Sequence, residues 1–244
     1  MKRLFLYPLS ILFYLCFGGF LFLFHPLQWV ALRGFGYFAH KKTLDLLNFF
    51  ILKCLNLLCT RIIFKHGVSL PKSPSVIFVA NHQSTFDIPP LIWHLRKYHV
   101  KFVSKKELGK GIPSVSFNLR HGGSVLIDRK KPKEALQRIE AFGKSLTKKH
   151  HSVIIFPEGT RSKAGEMKRF RRSGLLALLK TMPDADIVPI SIINSWKFAL
   201  HNYFPMPLGN QLVFKFHPAI HGNRDRLDLL IDQVEQTIKE GLKD

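Results

Sequence analysis

The 244-residue chain has little cysteine and little acid. Its three cysteines, Cys16, Cys54 and Cys59, form no CxxC pair and no Cys/His ligand spacing, which argues against a disulfide framework or a zinc site. A reducing, cytoplasm-facing environment is the simplest reading. Only 16 Asp+Glu oppose 37 Lys+Arg, leaving a formal net charge of +21. That balance calls for an anionic partner, whether nucleic acid, an anionic membrane surface or a phosphorylated substrate. There is no Gly-x-Ser-x-Gly elbow to supply a nucleophilic serine, and no internal repeat, low-complexity tract or long linker. What is present is 46% hydrophobic residues, enough for a packed domain with something extra attached.

The charge is unevenly placed. Residues 1–60 hold 6 basic and 1 acidic residue, whereas residues 101–172 hold 19 basic and 6 acidic, a local excess of +13. Between Arg3 and Arg33 lie 29 residues with no Asp, Glu, Lys or Arg, long enough to cross a bilayer. This stretch exceeds the apolar region of a signal peptide and no A-x-A-like site closes it, so membrane anchoring is expected over cleavage. Gly18-Gly19 and the break at His25-Pro26 leave open a bent or re-entrant segment instead of a straight span. Flanking charge favours neither orientation, since Lys2 and Arg3 compete with Arg33, Lys41 and Lys42. Over residues 43–60, Asp45, Asn48, Lys53, Asn56 and Thr60 fall within an arc of about 140° at helical spacing. Either an ordinary core helix or an interfacial helix fits, and the apolar segment before it favours the interfacial one. Residues 1–60 are thus read as membrane-anchoring helices and residues 61–244 as an α/β domain.

In the second part, short β-branched runs alternate with helical periodicity, as in an α/β sandwich. Strands are expected at 75–80, 100–104, 124–127, 152–156, 187–193 and 211–216, and helices from about Asp87, Lys133, Arg172 and Arg224. Ala135, Ile139, Phe142 and Leu146 recur at helical spacing behind Pro132, and Leu227, Leu230, Ile231, Val234 and Ile238 make another apolar face.

Two clusters carry chemistry. The first strand opens into Asn81-His82-Gln83-Ser84-Thr85-Phe86-Asp87. His82 and Asp87 do not share a helical face, but a turn brings such a pair together, and a carboxylate on one imidazole nitrogen makes the other a better base. Alternatively, Asp87 caps the next helix and His82 is a loop histidine. The second cluster, Pro157-Glu158-Gly159-Thr160-Arg161-Ser162, follows the strand at 152–156. Here Gly159 permits a tight turn, Arg161 has the fork that grips phosphate, and Glu158 is an acceptor for a polyol. A surface ion pair between Glu158 and Arg161 is the plainer reading. Lys105-Lys106-Glu107-Leu108 and Ile127-Asp128-Arg129 stand at two further strand ends.

Taken in order and spacing, Asn-His-x4-Asp, Lys-Lys-Glu-Leu, Ile-Asp-Arg, Phe-Pro-Glu-Gly-Thr-Arg-Ser and Val188-Pro189-Ile190 resemble the 1-acyl-glycerol-3-phosphate acyltransferase family of the glycerolipid acyltransferase superfamily. The resemblance covers roughly residues 50–220. It implies a mixed sheet flanked by helices, preceded by a membrane-embedding helical segment. The implied reaction moves an acyl group from acyl-CoA or acyl carrier protein, as co-substrate, to the free hydroxyl of a lysophospholipid, classically lysophosphatidic acid. By the same resemblance His82 is the base and Asp87 its orienting partner. Glu158, Gly159, Thr160 and Arg161 bind the acceptor, Lys105 and Arg129 add basic contacts, and Val188, Pro189 and Ile190 serve the acyl or donor region. Asn81 and the turn after it are candidate oxyanion or supporting groups. No metal and no bound cofactor are expected. The implied partners are a lysophospholipid, the acyl donor and an anionic membrane surface, with the catalytic domain on the cytoplasmic side, at the inner membrane in a bacterium.

The chain departs from the family pattern at Pro113, one residue late, at Ser116 in place of a glycine, and in the arginine-rich stretch ending at Ser173-Gly174. These positions bear on which acceptor is used, and another lysophospholipid, an acylated amino lipid or a lipid A precursor remain alternatives. A membrane-tethered nucleic-acid-binding protein also fits the charge, but the chain lacks a recognisable binding motif such as an RNP-like aromatic strand.

Overall fold

The computed structural model describes residues 6–67, 69–162, 164–221 and 226–243. Its strands are β1 (Arg61–His66), β2 (Val76–Ala80), β3 (Lys101–Lys105), β4 (Val125–Ile127), β5 (Val153–Ile155), β6 (Asp186–Ile193) and β7 (Gln211–Phe216). They form one sheet in the order β1-β7-β6-β2-β5-β3-β4. All neighbours from β6 to β4 are parallel, β6 and β7 are antiparallel, and β7 and β1 are parallel again. The sheet is therefore mixed, with two strands at one edge running against the rest.

Strand β2 shows why the centre is a sandwich. Every residue of Val76–Ala80 is buried, as expected of a parallel strand covered on both faces. Val76, Phe78 and Ala80 join the core shared with α1 (Leu6–Leu57) and α2 (Ile88–His94). Ile77 and Val79 join the other, with α4 (Pro132–Lys149), α5 (Arg172–Thr181) and α6 (Leu227–Gly241). The buried face of α4 contains Ala135, Ile139, Phe142 and Leu146, the residues its spacing singled out. The expected helix start at Arg224 lies outside the described residues. Strand β1 and the helix α3 (Val115–His121) are additions to the sequence reading: one is a half-exposed edge strand without alternation, the other is too short to show a period.

The apolar N-terminus is bent, and the bend is not at Pro26. Helical geometry persists through Gly18, Gly19 and Pro26 and breaks at Gly36, whose φ of 78° and ψ of −165° suit a residue without Cβ. The two halves fold back on each other. Phe20 stacks on Phe50 with ring centroids 4.8 Å apart, Gln28 Oε1 and His40 Nε2 are 3.3 Å apart, and Leu21, Phe24, Leu47 and Ile51 form a small core between them. Farther along, Cys54, Leu55 and Leu58 pack into the core beside β2, together with Phe13 of the first half. The other side of the hairpin is apolar and bare: Phe22 is 70% and Phe35 77% exposed, with Leu15, Leu23 and Phe38 also more than half exposed. In water each such side chain forgoes roughly 1.5–3 kcal/mol of burial, so the hairpin fits a membrane-embedding segment.

Near the turn of the hairpin, the first residue of β3 meets an unusual setting. Lys101 is 3% exposed and donates to Tyr37 Oη at 2.9 Å, while that oxygen lies 2.8 Å from His99 Nδ1. Burial pushes the Lys101 pKa down to about 7. Because the folded-state value is depressed, stability falls as pH drops from the ordinary lysine range toward neutrality. Lys101→Met is therefore expected to raise the melting temperature at neutral pH by roughly 2–4 °C, for about 1 kcal/mol of relieved desolvation. Calorimetry across the alkaline range checks this: the gain shrinks as pH rises, and a gain independent of pH contradicts it.

Candidate active site

Because β4, β3, β5, β2 and β6 are parallel, their carboxyl ends share one edge of the sheet. His82 follows β2, Glu158 to Arg161 follow β5, Lys105 ends β3 and Arg129 comes just after β4. Four stretches far apart in the chain thus meet where open α/β sheets bind ligands.

His82 and Asp87 are paired. The imidazole Nδ1 is 2.8 Å from Asp87 Oδ2, and the same oxygen accepts the N–H groups of Gln83 at 2.7 Å and Ser84 at 3.0 Å. Asp87 is fully buried, and Ser84 caps the 3-10 turn Thr85–Asp87 reciprocally with it. The alternative posed from sequence, a cap on the following helix, is not made: Asp87 stands at the start of α2 without a side-chain bond to it, and its Oδ2 instead closes the preceding turn while orienting the ring. With Nδ1 donating to Asp87, the lone pair sits on Nε2, which has no hydrogen-bond partner among the described residues. The ring lies over Phe156, centroids 4.3 Å apart.

The loop after β5 is zipped to the histidine turn. His82 N–H donates to Glu158 Oε1 at 2.7 Å, and Ser162 N–H donates to the His82 carbonyl at 2.7 Å. Glu158 Oε2 accepts from Lys168 N–H at 2.8 Å. Burial raises the pKa of this carboxyl, against the pull of the two backbone donors. Gly159 makes the turn with φ 73°, and a Cβ there would stand 3.1 Å from Arg171 Cδ. Arg129 donates to the Gly159 carbonyl, and burial, with Arg171 nearby, lowers its pKa. Thr160 Oγ1 accepts from Lys168 Nζ at 3.0 Å. Arg161 Nη1 donates to Thr85 Oγ1 at 2.9 Å and to Tyr203 Oη at 2.5 Å. Lys105 is exposed at the end of β3.

Two expectations change. The Asn81 side chain is fully buried, donating to Ile192 O at 2.9 Å and accepting from Ile192 N at 2.7 Å, so it stitches β2 to β6 and is no oxyanion donor. The N–H groups of His82, Gln83 and Ser84 are likewise engaged by Glu158 and Asp87. Val188, Pro189 and Ile190 lie within β6 in register with Phe78, Val79 and Ala80, and all are buried. They build the sheet beneath the site. Ser116, standing where a glycine is usual, is also buried: its hydroxyl donates to Leu108 O at 2.9 Å and accepts from Ile112 N at 3.0 Å.

The sequence reading passed over four contributors. Gln83 Oε1 accepts from Ser195 N at 2.9 Å, Ser84 and Ser195 hydroxyls are 2.6 Å apart, and Tyr203 reaches Arg161. Gln83 and Ser84 sit inside the motif, where polarity at a strand end was the available signal; Ser195 and Tyr203 had none.

With this geometry in view, the likenesses to known proteins take on meaning. Residues 61–193 match the acyltransferase family. A chloroplastic 1-acyl-sn-glycerol-3-phosphate acyltransferase of Brassica napus is 30% identical over 182 residues, covering 71% of this chain and 48% of that protein. The enzyme of the same name from Helicobacter pylori is 34% identical over 139 residues, covering 54% of this chain and 56% of that protein. The chain spans about half the length of the curated relatives it matches. The crystal structure of a 1-acyl-sn-glycerophosphate acyltransferase from Thermotoga maritima has the same fold, with a TM-score of 0.78 at 21% identity over 100% of this chain and 97% of that one. The chain belongs to the acyltransferase family, beside relatives named as 1-acyl-sn-glycerol-3-phosphate acyltransferases.

Proposed function

We propose that the protein is a membrane-bound acyltransferase that moves a fatty acyl group from acyl-CoA or acyl carrier protein to the free hydroxyl of 1-acyl-glycerol-3-phosphate, giving phosphatidic acid. One observation carries the reading: an imidazole fixed by a buried carboxylate at Nδ1, open at Nε2, stands in the same turn that holds Arg161. Nε2 of His82 takes the proton of the acceptor hydroxyl as its oxygen attacks the thioester carbonyl. The new C–O bond forms, the C–S bond breaks, and the proton passes to the leaving thiolate. The thioester supplies the activation, so the reaction draws on no metal or bound cofactor. Arg161, with Lys105 and Arg129, faces the acceptor phosphate.

The same edge explains the charge. Part of the +13 excess in residues 101–172, including Lys105, Lys106, Arg129, Lys130, Arg161, Lys168 and Arg171, lies at or just after these strand ends, where it attracts a nucleotide-bearing or acidic acyl donor. It also holds the domain to an anionic, cytoplasm-facing bilayer at about 1 kcal/mol per Lys or Arg at the surface. No nucleic acid enters this account. The test is to offer purified enzyme a mixture of lysophospholipids with acyl-CoA or acyl carrier protein and identify the product by mass spectrometry. Phosphatidic acid is the expected main product; another diacyl lipid moves the assignment to that acceptor, and no acyl transfer from either donor overturns it.

A further inference from the structure

Tyr203 lies outside every stretch that first marked the site, yet it contacts the group assigned to the acceptor phosphate. Its hydroxyl accepts from Arg161 Nη1 at 2.5 Å, and the guanidinium carbon lies 5.7 Å from its ring centroid. Nη1 carries two N–H bonds, and the protein uses both, one on Tyr203 Oη and one on Thr85 Oγ1. Among the described residues nothing takes Nε or Nη2, the two nitrogens that form the side edge of the fork. A guanidinium pinned on one nitrogen with this edge open is arranged for bidentate capture of a phosphate.

The placement of Tyr203 is costly and tied to the hairpin. His201, Asn202 and Tyr203 adopt φ values of 52°, 54° and 69° in succession, a left-handed run that side chains disfavour. What holds it is the membrane-embedding helix: Tyr14 Oη donates to the Tyr203 carbonyl at 2.6 Å. A chain of contacts therefore runs from α1 through Tyr14 and Tyr203 to Arg161, and from there to Thr85 in the histidine turn.

We infer that Tyr203 is a positioning residue for the acceptor: it aims the open edge of Arg161 at the phosphate, and its own position is set by Tyr14 of the membrane hairpin. This rests on the acyltransferase reading above. A tyrosine that merely fills space would not separate acceptor binding from the other kinetic constants; one that aims Arg161 does.

The test uses the full chain in phosphatidylglycerol/phosphatidylcholine nanodiscs, with 1-acylglycerol 3-phosphate as acceptor and palmitoyl-CoA or palmitoyl carrier protein as donor. Tyr203→Phe is expected to raise the acceptor KM about tenfold, as for loss of one charge-assisted hydrogen bond, with kcat and donor KM within about twofold. Adding it to Arg161→Ala should raise the acceptor KM no further. Tyr14→Phe, which removes the hydroxyl that holds the Tyr203 carbonyl, should act in the same direction by about threefold and gives a second reading if Tyr203→Phe fails to fold. An unchanged acceptor KM in the folded Tyr203 variant, or additivity with Arg161→Ala, overturns the inference while leaving the function intact. Wild-type enzyme that transfers to no phosphate-bearing acceptor overturns both.

Discussion

His82→Ala is expected to lower kcat for acyl transfer about a thousandfold, the middle of the range for loss of a general base. The reason lies in what His82 does and does not hold. Its Nε2 has no partner among the described residues, so removal of the ring deletes the proposed base without breaking a bond at that nitrogen. Its backbone contacts to Glu158 and Ser162 are made by N–H and C=O and survive the substitution. The loss of packing on Phe156 is confined to a half-buried ring. The substitution also takes one donor from the buried Asp87 Oδ2, which keeps the N–H groups of Gln83 and Ser84, a loss of about 1.5–3 kcal/mol; circular dichroism should therefore show a native fold with a lowered melting temperature, while turnover collapses far beyond what that loss accounts for. A folded His82→Ala enzyme that retains kcat within about threefold removes His82 from the chemistry, since no general base is dispensable at that level.

Asp87→Asn provides the companion measurement. The carboxylate oxygen that orients the ring also accepts two backbone N–H groups of the turn. An amide that keeps an oxygen on that side preserves the turn, while one that presents its NH2 disrupts it. Loss of activity there thus reports on orientation only when the melting temperature is preserved.

How far these roles were legible in advance depends on whether they are local in sequence. The pair His82 and Asp87, five positions apart, and the loop from Glu158 to Arg161 carry their chemistry within a few residues of a strand end, and the α/β rhythm places the strands around them but not their order in the sheet. Tyr203 depends on contacts 42 residues back to Arg161 and 189 residues back to Tyr14, and a lone tyrosine in an aperiodic stretch signals neither. Asn81 shows the converse. A polar side chain at a strand end reads as functional, but it turned inward, continuing the β2–β6 pairing through its amide. The sequence leaves a bend open at Gly18-Gly19 or His25-Pro26, and it occurs at neither, because an apolar helix accommodates those residues while the reversal needs the positive φ of Gly36. Periodicity located the faces of α4 and α6; it had no purchase on β1, whose burial does not alternate.

The second large effect is expected at Glu158, where sequence and structure assign the carboxylate different work. A residue that contacts the acceptor would, when removed, raise the acceptor KM. The geometry gives it another duty: at 2% exposure it joins two loops, one oxygen on His82 N–H and the other on Lys168 N–H. Glu158→Ala leaves both donors without an acceptor, at about 1–3 kcal/mol each, and releases the backbone that carries the His82 imidazole. We expect kcat to fall about a hundredfold, as for a misplaced catalytic group, with a clear drop in melting temperature and a smaller change in acceptor KM. Glu158→Gln retains the shape and one acceptor oxygen but turns an amide NH2 toward a backbone N–H, so it should recover part of the stability and part of kcat. Its pH dependence supplies a further check. Burial raises the folded-state pKa of Glu158, so its contribution to stability is full below the unfolded-state value and is lost as pH rises through the folded-state value. The glutamine has no such titration, and the stability gap between wild type and Glu158→Gln should narrow from acid toward neutral pH. A rise confined to acceptor KM, with kcat and melting temperature unchanged, would return Glu158 to the substrate; a joint loss of kcat and stability with partial rescue by glutamine identifies it as the clamp that holds His82 in place.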